Sequence, residues 1–455
     1  MLKLVSRFLD AGLLPGMVVA VFGINMQGWQ PAKELNLGSV DIRPNLESAW
    51  VRALVSDDPA TQSIVSSYVS SLAAAGYQAD RQGVWVASGQ FPMAQYQGDV
   101  RRSAASLTKI ATTLAALSSW GPERRFETLV GWNGTLENGV VVGDLVIEGG
   151  DDPLFVWEEA IALGNALQAL GVRQVTGDLV IAGSFTMNFE TSPTKSGQLL
   201  KQAFDSATWD YAAEIAYQTL PPGTSVPTIQ IGGQVRADSN SWKDQVSGWL
   251  VRHQSLPLVA VLKAMNIYSN NAMAEQIAHT LGGPSAVVQK AEEAAGVLPG
   301  ELALINGSGL GEANQMSPRA AVTMLQKIQD ELRAEDYTIS DIFPVAGADG
   351  GTVTDRAIPS NAVVKTGTLA VVSALAGAMP TRDKGIVWFS VINYGNGLDS
   401  LRVQQDKVIA AVEQQWGRAA EIPPELRTRV RIGQAPYQIG DGQRNQSMLN
   451  SPAQN

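Results

Sequence analysis

The chain of 455 residues contains no cysteine and only two histidines. Without cysteine it has no disulfide, no thiol nucleophile and no cysteine-ligated metal. A Ser-His-Asp triad would have to use His253 or His279, and no G-x-S-x-G turn is present to hold its serine. No carboxylates are marked out beside either histidine as metal ligands, so we predict no metal and no cofactor.

Positive charge is also scarce, since 33 lysines and arginines stand against 43 acidic residues and give a net charge of −10. This acidic balance argues against nucleic acid as a partner. The length and a hydrophobic content of 45% allow two or three domains with a large buried core.

Long apolar runs are missing apart from one short stretch near the N-terminus. Lys3 and Arg7 precede an uncharged stretch, residues 11–32, which is similar to a secretory signal but has no A-x-A cleavage site. We predict that residues 1–44 form a signal-like, anchor-like or disordered segment. Any membrane association is expected to run through this segment.

What the sequence does contain is three short polar motifs in a fixed order. They are Ser106-Leu107-Thr108-Lys109, Ser269-Asn270-Asn271 and Lys365-Thr366-Gly367. Together they supply a serine nucleophile, two lysines and a polar bridge, which is enough for acyl transfer without histidine.

Apolar residues at helical spacing predict a helix from near Ser106 to Ser118, with Ser106 and Lys109 together on the face that points into a cleft. A lysine accepts the serine proton only when it is neutral, which requires its pKa to fall by about three units. Burial, the helix N-terminus and a second cation, for which Lys365 is the candidate, all act in that direction. The Ser106 amide is a candidate oxyanion donor.

A second S-x-x-K sequence occurs at Ser192-Pro193-Thr194-Lys195 and continues into Ser196-Gly197, so it also imitates the third motif. The stretch around it is rich in turn residues and has no clear apolar stripe. We predict that this copy is not part of a site.

The third motif lies on a predicted strand, residues 362–368, followed by strands at 372–378 and 385–392 in an antiparallel meander. Gly367 lets an extended peptide approach the strand backbone. The Thr368 amide is the candidate second oxyanion donor, and the threonine hydroxyls are candidates for binding a substrate carboxylate.

Further segments have clear local patterns. Helices are predicted at 59–76, 156–170, 270–281 and 398–416. Two similar pieces, Gly143-Asp144-Leu145-Val146-Ile147 and Gly177-Asp178-Leu179-Val180-Ile181, predict a βαβ-like pair around the second of these helices. After Pro436 the chain is polar and predicted to be disordered.

By residue content and order, the chain resembles the penicillin-recognising serine acyl transferases. Within them it is similar to the D-alanyl-D-alanine carboxypeptidase/endopeptidase family, peptidase family S13 (penicillin-binding protein 4-like, low-molecular-mass class C). The resemblance covers about residues 45–420. Besides the three motifs it includes Gly149-Gly150-Asp151-Asp152-Pro153, Thr176-Gly177-Asp178-Leu179, Gly307-Ser308-Gly309-Leu310 and Pro344-Val345-Ala346-Gly347.

The resemblance implies an α/β (α+β) fold, with a serine β-lactamase/transpeptidase-like domain whose antiparallel sheet is flanked by helices, and an inserted smaller α/β domain. The segment between the first two motifs is shorter than is usual in the family, which puts one inserted domain in doubt. The predicted division is residues 1–44 as the N-terminal segment, 45–130 with 256–420 as the catalytic domain, 131–255 as the inserted domain and 421–455 as a polar C-terminal tail.

The resemblance also implies a role for each site residue. Ser106 is the acylated nucleophile and Lys109 its base, while Ser269 and Lys365 pass a proton to the leaving D-alanine. The predicted substrate-binding residues are Asn271, for an amide of the substrate, and Thr366, Gly367 and Thr368, at its terminal carboxylate. The implied substrates are peptidoglycan stem peptides, with β-lactams as inhibitors, in the cell envelope as a periplasmic or membrane-anchored protein.

Two alternatives stay open on the same fold. The first is a β-lactamase-like hydrolase, which needs a carboxylate base for deacylation. The segment from Glu301 to Asn306 nearly matches such a loop but is one residue out of register with E-x-x-L-N. The second is a non-catalytic protein that binds the cell wall.

Overall fold

Helices and strands alternate along the residues that the computed structural model describes, which are 58–238, 242 and 245–449. The predicted N-terminal segment 1–44 lies outside these residues. The helices are α1 Pro59–Ala74, α2 Thr108–Trp120, α3 Trp157–Ala169, α4 Pro193–Phe204, α5 Tyr211–Thr219, α6 Leu258–Tyr268, α7 Asn271–Thr280, α8 Pro284–Ala295, α9 Pro318–Arg333 and α10 Leu398–Trp416.

Several of the strands are only two residues long. The strands are β1 Gly83–Ser88, β2 Phe91–Tyr96, β3 Arg102–Ser103, β4 Glu127–Glu137, β5 Val140–Gly150, β6 Gln174–Val175, β7 Leu179–Ser184, β8 Gln230–Ile231, β9 Val235–Ala237, β10 Gly248–Gln254, β11 Leu302–Ala303, β12 Gln315–Met316, β13 Val363–Leu369, β14 Val372–Thr381, β15 Gly385–Tyr394 and β16 Asn445–Ser447.

The helices predicted from apolar periodicity are confirmed to within two or three residues at their ends. In α1, Asp58 caps the N-terminus by accepting a hydrogen bond from the Thr61 amide, and Pro59 occupies the first turn. The long helix α10 also has the predicted bounds. Local capping and periodicity therefore account for these elements without tertiary information.

A five-stranded antiparallel sheet in the order β13-β14-β15-β1-β2 contains the predicted meander. Its middle strands alternate between two cores. Ala374 and Ala376 pack with α2, α6 and α9 on one face, while Leu375 and Met379 pack with α1 and α10 on the other. The 3₁₀ turn Ala105–Leu107, which directly precedes α2, lies against β13 and β14.

The second sheet has the order β16-β10-β4-β5-β6-β8, with β7 and β9 attached through β5. Strands β5 and β7 are parallel, with Leu145 opposite Leu179, and α3 connects them. The predicted βαβ pair is therefore confirmed, as is the mixed α/β fold class with an antiparallel sheet flanked by helices. The predicted domain boundaries stay a prediction, because the catalytic and inserted segments pack together as one unit.

The predicted disorder after Pro436 is wrong for residues up to 449. Strand β16 pairs with β10, with Gln446 opposite Arg252. The Arg444 side chain is buried, donates to the Gln254 carbonyl oxygen at 2.8 Å and contacts the Glu159 carboxylate. A polar sequence is ordered here because a strand edge and a buried carboxylate satisfy its hydrogen-bonding groups, which composition alone does not reveal.

Candidate active site

Ser106 lies in a 3₁₀ turn, Ala105–Leu107, and α2 begins two residues later than predicted, at Thr108. The preceding residue, Ala105, has a positive φ of 46°, a conformation that costs free energy for any residue with a Cβ. A Cβ on Gly309 would lie 1.8 Å from the Ala105 carbonyl oxygen, so only glycine fits there. The nucleophile candidate is thus held in a strained turn that another loop packs against.

Lys109 is fully buried, although the helix pattern predicts a residue facing an open cleft. Helix α2 is buried on every side from Thr108 to Leu117. The Lys109 Nζ donates to the Ser106 Oγ at 3.2 Å, to the Asn271 Oδ1 at 2.8 Å and to the Ser308 carbonyl oxygen at 2.8 Å. Residues that lie 162 positions apart in sequence therefore meet at one amine.

The second motif lies at the junction of two helices. Asn270 caps α7 by accepting a hydrogen bond from the Met273 amide at 3.0 Å. Ser269 ends α6 in the left-handed conformation, with φ at 51°. The Ser269 hydroxyl does not cap α7 and instead accepts a hydrogen bond from the Lys365 Nζ.

The third motif begins with Lys365, which is fully buried on β13. Its Nζ donates to the Ser269 Oγ and to the Thr366 carbonyl oxygen, both at 2.9 Å. A Cβ on Gly367 would lie 3.1 Å from the Ser106 backbone nitrogen and 2.9 Å from the Ala104 carbonyl oxygen. The glycine is what lets this strand approach the turn that carries Ser106.

Both lysines have a lowered pKa because they are buried. Burial lowers the pKa of Lys109 to about 8, while the Glu275 carboxylate acts in the opposite direction. Burial and, after it, the charge of Lys109 lower the pKa of Lys365 well below its ordinary value. Lys365 was predicted to be the cation that lowers the pKa of Lys109; burial is instead what lowers it, and the like charge of Lys109 adds to the effect of burial on Lys365.

A cleft of about 680 Å³ opens onto these residues. Its walls include the predicted site residues Ser106, Ser269, Asn271, Thr366 and Thr368. With Lys109, Lys365 and Gly367 in direct contact with them, the structure brings all eight predicted site residues together.

Sequence reasoning missed several groups around this cleft. Arg402 donates to the Thr368 Oγ1 at 3.2 Å and is ion-paired with Asp399 at 3.0 Å. The Ser308 carbonyl oxygen was also missed as a partner of Lys109. The small residues Gly307-Ser308-Gly309 did indicate a close approach of the backbone. A partly exposed arginine on a helix, such as Arg402, carries no sequence signal of this kind.

Asn306 lies in the turn that presents Ser308. Its Oδ1 accepts from the Gly309 amide at 2.9 Å, and its Nδ2 donates to the Leu310 carbonyl oxygen at 2.7 Å. The asparagine side chain therefore bonds to the backbone of the turn.

The second S-x-x-K sequence opens a helix, α4, which the turn residues around it did not indicate. Its lysine is nonetheless unsuited to act as a base. The Lys195 side chain is 69% exposed and is ion-paired with Glu190 at 3.6 Å. Its amine is therefore in contact with water and is not desolvated as the Lys109 amine is.

The two histidines contribute nothing to the cleft walls. His253 is buried and its Nδ1 lies 2.8 Å from the Asn445 Oδ1. Within residues 58–238, 242 and 245–449, no group of three or more potential metal ligands occurs. A separate cavity of about 610 Å³ lies beside the β14–β15 turn, and its walls include no residue of the three motifs.

Comparison with known proteins points to one family. The model of the D-Ala-D-Ala carboxypeptidase 3 (S13) family matches residues 65–207 and 206–415. The D-alanyl-D-alanine carboxypeptidase DacB of Haemophilus influenzae is 23% identical over 407 residues, covering 67% of this chain and 83% of that protein. The D-alanyl-D-alanine carboxypeptidase of Actinomadura sp. (strain R39) is 30% identical over 210 residues, 42% of this chain and 37% of that protein.

Solved structures share the fold. The penicillin-G-acylated predatory endopeptidase Bd3459 of Bdellovibrio bacteriovorus, in complex with its immunity protein, matches with a TM-score of 0.64 at 22% identity. That match covers 73% of this chain and 91% of the endopeptidase. Penicillin binding protein 4 (dacB) of Haemophilus influenzae, in complex with a β-lactam, matches with a TM-score of 0.58 at 20% identity, covering 76% of this chain and 99% of that protein.

Proposed function

The chain belongs to the D-Ala-D-Ala carboxypeptidase 3 (S13) family of peptidases, and on that premise we propose that it cleaves peptidoglycan stem peptides as a serine-type D-Ala-D-Ala carboxypeptidase/endopeptidase. The reaction passes through an acyl-enzyme on Ser106, and β-lactams inhibit it by acylating the same residue. The observation that carries the proposal is the buried amine of Lys109 within hydrogen-bond distance of the Ser106 hydroxyl.

The partners of Lys109 fix the direction of its lone pair. A neutral amine has two N–H donors and one lone pair. The Asn271 Oδ1 and the Ser308 carbonyl oxygen only accept hydrogen bonds, so they take the two donors. The Ser106 hydroxyl accepts from the protonated amine, but it is the one partner of the three that can also donate, and the lone pair of the neutral amine therefore faces it. In this arrangement Lys109 takes the proton as the Ser106 Oγ attacks the substrate carbonyl carbon.

Substrate binding uses the groups that the lysines leave free. Because the Asn271 Oδ1 is occupied by Lys109, its Nδ2 is available to donate to a carbonyl oxygen of the stem peptide. The backbone amides of Ser106 and Thr368, which flank the contact made by Gly367, donate to the developing oxyanion. Thr366 and Thr368 bind the terminal carboxylate, beside the guanidinium of Arg402.

Ser269 and Lys365 complete the first half of the reaction. When the C–N bond breaks, the leaving amine of D-alanine needs a proton. The hydroxyl of Ser269 supplies it and is reprotonated by the proton that Lys109 took from Ser106, with Lys365, whose Nζ lies 2.9 Å from the Ser269 Oγ, as part of the relay. Lys109 is then neutral again. Water then attacks the carbonyl carbon of the Ser106 ester and gives a proton to neutral Lys109. When the ester C–O bond breaks, Lys109 returns that proton to the Ser106 Oγ, and the free hydroxyl and the shortened peptide are formed.

The proposed substrate also gives the place of action, which is the cell envelope. We propose export through residues 1–44, which lie outside the described part of the chain. Among the residues that are described, no helix has both the length and the apolar character to cross a bilayer.

The direct test is intact-mass measurement after incubation with benzylpenicillin, followed by peptide mapping. We expect one penicilloyl adduct, located on Ser106, and no adduct in Ser106→Ala. The matched control is Ser192→Ala, which removes the serine of the second S-x-x-K sequence and should leave the adduct unchanged. A folded wild-type protein that forms no adduct would contradict the enzymatic proposal and favour a non-catalytic wall-binding role.

The β-lactamase alternative is disfavoured by the surroundings of Glu301. Its carboxylate accepts from the Ser317 Oγ at 2.7 Å and is ion-paired with Arg319, so it is occupied within the protein. We expect Glu301→Gln to leave the lifetime of the penicilloyl adduct within about twofold of wild type, while lowering the free energy of unfolding by about 1–2 kcal/mol. Adduct decay by mass spectrometry and urea unfolding measure the two effects. A much longer adduct lifetime in this variant would restore the β-lactamase alternative.

A further inference from the structure

Glu275 makes contacts that the three motifs do not explain. It lies on α7 four residues after Asn271, one helical turn further along the same helix. Its Oε2 accepts from the Gly307 amide and its Oε1 from the Ser308 amide, both at 3.0 Å. The carboxylate thus holds two consecutive amides of the loop whose Ser308 carbonyl oxygen binds Lys109.

The loop is held on its other sides as well. The Thr112 hydroxyl donates to the Gly307 carbonyl oxygen at 2.7 Å. A Cβ on Gly307 would lie 2.5 Å from the Ala274 carbonyl oxygen, which shows how closely the loop packs on α7. Ser308 itself is 1% exposed. The position of its carbonyl oxygen is therefore set by α7, and Glu275 is the side chain that ties the two together.

We propose that Glu275 is a positioning residue for the base: it fixes the Ser308 carbonyl oxygen, and thereby the orientation of the Lys109 amine toward Ser106. This inference rests on the proposed function, since it assigns Glu275 a part in the acylation of Ser106. Helix α7 then acts on two of the three partners of Lys109. It carries Asn271, and through Glu275 it holds the loop that contains Ser308.

The charge of Glu275 has a second consequence. Two charged side chains face Lys109 from neighbouring elements, Glu275 from α7 and Lys365 from β13; the groups that bond to it directly, from Ser106, Asn271 and Ser308, are neutral. A carboxylate nearby favours the protonated lysine and raises its pKa. Removing that charge lowers the pKa, so Lys109 becomes neutral, and acylation becomes fast, at a lower pH.

Glu275→Gln tests both effects, with the rate constant of acylation by a fluorescent penicillin measured from pH 5 to pH 10. We expect the acid limb of the profile to move to lower pH by about one unit. The plateau should fall roughly tenfold, because the glutamine NH₂ group opposes one of the two amide donors. The matched control is Glu312→Gln, which removes an exposed carboxylate four residues after Ser308. Its acid limb and its plateau should both equal those of the wild type.

A wild-type plateau in Glu275→Gln overturns the positioning role of Glu275, and an acid limb that stays at the wild-type pH overturns the effect of its charge on Lys109. If that variant does not fold, Glu275→Asp decides: it keeps the charge with a shorter reach, so a plateau reduced severalfold with an unmoved acid limb supports the inference. A wild-type plateau in Glu275→Asp overturns it. Failure of wild-type protein to form any adduct on Ser106 would instead overturn the proposed function, so the two failures are distinct.

Discussion

Lys109→Met is expected to slow the acylation of Ser106 by benzylpenicillin at pH 8 by about 10³-fold or more, because the general base is lost. Methionine keeps most of the volume and the apolar stem of lysine, so the buried space between α2 and the loop at Ser308 stays filled. The Asn271 Oδ1 and the Ser308 carbonyl oxygen lose a donor, which costs about 1–3 kcal/mol for each buried acceptor left unpaired. Removal of a buried amine offsets part of that cost.

The measurement is the rate of adduct formation by mass spectrometry, with thermal unfolding as the check on folding. Lys195→Met is the matched control, because it changes the lysine of the second S-x-x-K sequence, whose side chain is 69% exposed. We expect the control to acylate at the wild-type rate. A folded Lys109→Met protein that acylates as fast as wild type at pH 8 would refute the role of Lys109 as the base.

Lys365→Met is expected to lower the release of D-alanine from a D-Ala-D-Ala peptide by about 10²–10³-fold, while raising the free energy of unfolding at pH 7. Lys365 is fully buried, its Nζ contacts oxygen atoms of Ser269 and Thr366, and the charge that most affects it is the like charge of Lys109. Folding therefore costs free energy whenever this amine is protonated in the unfolded chain. An apolar side chain of similar length removes that cost, by about 1 kcal/mol or more.

The pH dependence of this gain has a definite sign. Because the pKa of Lys365 is lower in the folded protein, the unfolded chain binds more protons between the lowered pKa and the ordinary value of 10.5. Stability of the wild type then rises with pH through that window. The advantage of Lys365→Met should thus be largest near neutral pH and should shrink by pH 10, as measured by urea unfolding at pH 7, 8.5 and 10.

Lys263→Met is the matched control, because Lys263 is also buried but has an anionic partner, with its Nζ 2.6 Å from the Asp349 Oδ2. Removing it leaves that carboxylate without its cation, so this variant should lose about 3 kcal/mol of stability. Opposite signs for the two variants at pH 7 are the expected outcome. A loss of stability in Lys365→Met equal to that of Lys263→Met would show that Lys365 is held as a favourable cation.

Much of the fold was accessible from local sequence. The cap at Asp58 and the apolar stripe of α10 each depend on residues within a few positions of one another, which is why these two helices were predicted to within two residues at their ends. The order of residues 436–449 was not accessible, because it depends on a strand edge and on Glu159, both far away in sequence. Long-range pairing leaves no local pattern in a polar segment.

The site shows the same division. Two S-x-x-K sequences occur, and both open helices, so the helix start by itself does not distinguish them. Burial does, since Lys109 is fully buried and Lys195 lies in water. Glu275 gave no signal, because it acts on the backbone amides of Gly307 and Ser308, and every residue except proline has such an amide.

The sequence alone therefore determined the chemistry that is available: one serine, two lysines and a set of hydroxyl and amide groups in a fixed order, together with the local elements that hold them. The tertiary structure decided which serine and lysine meet, how far each lysine pKa is lowered and where the Lys109 lone pair points. The physical reason is that desolvation, electrostatic interaction and hydrogen-bond direction depend on distances in space, and the partners of Lys109 lie up to 199 positions away along the chain.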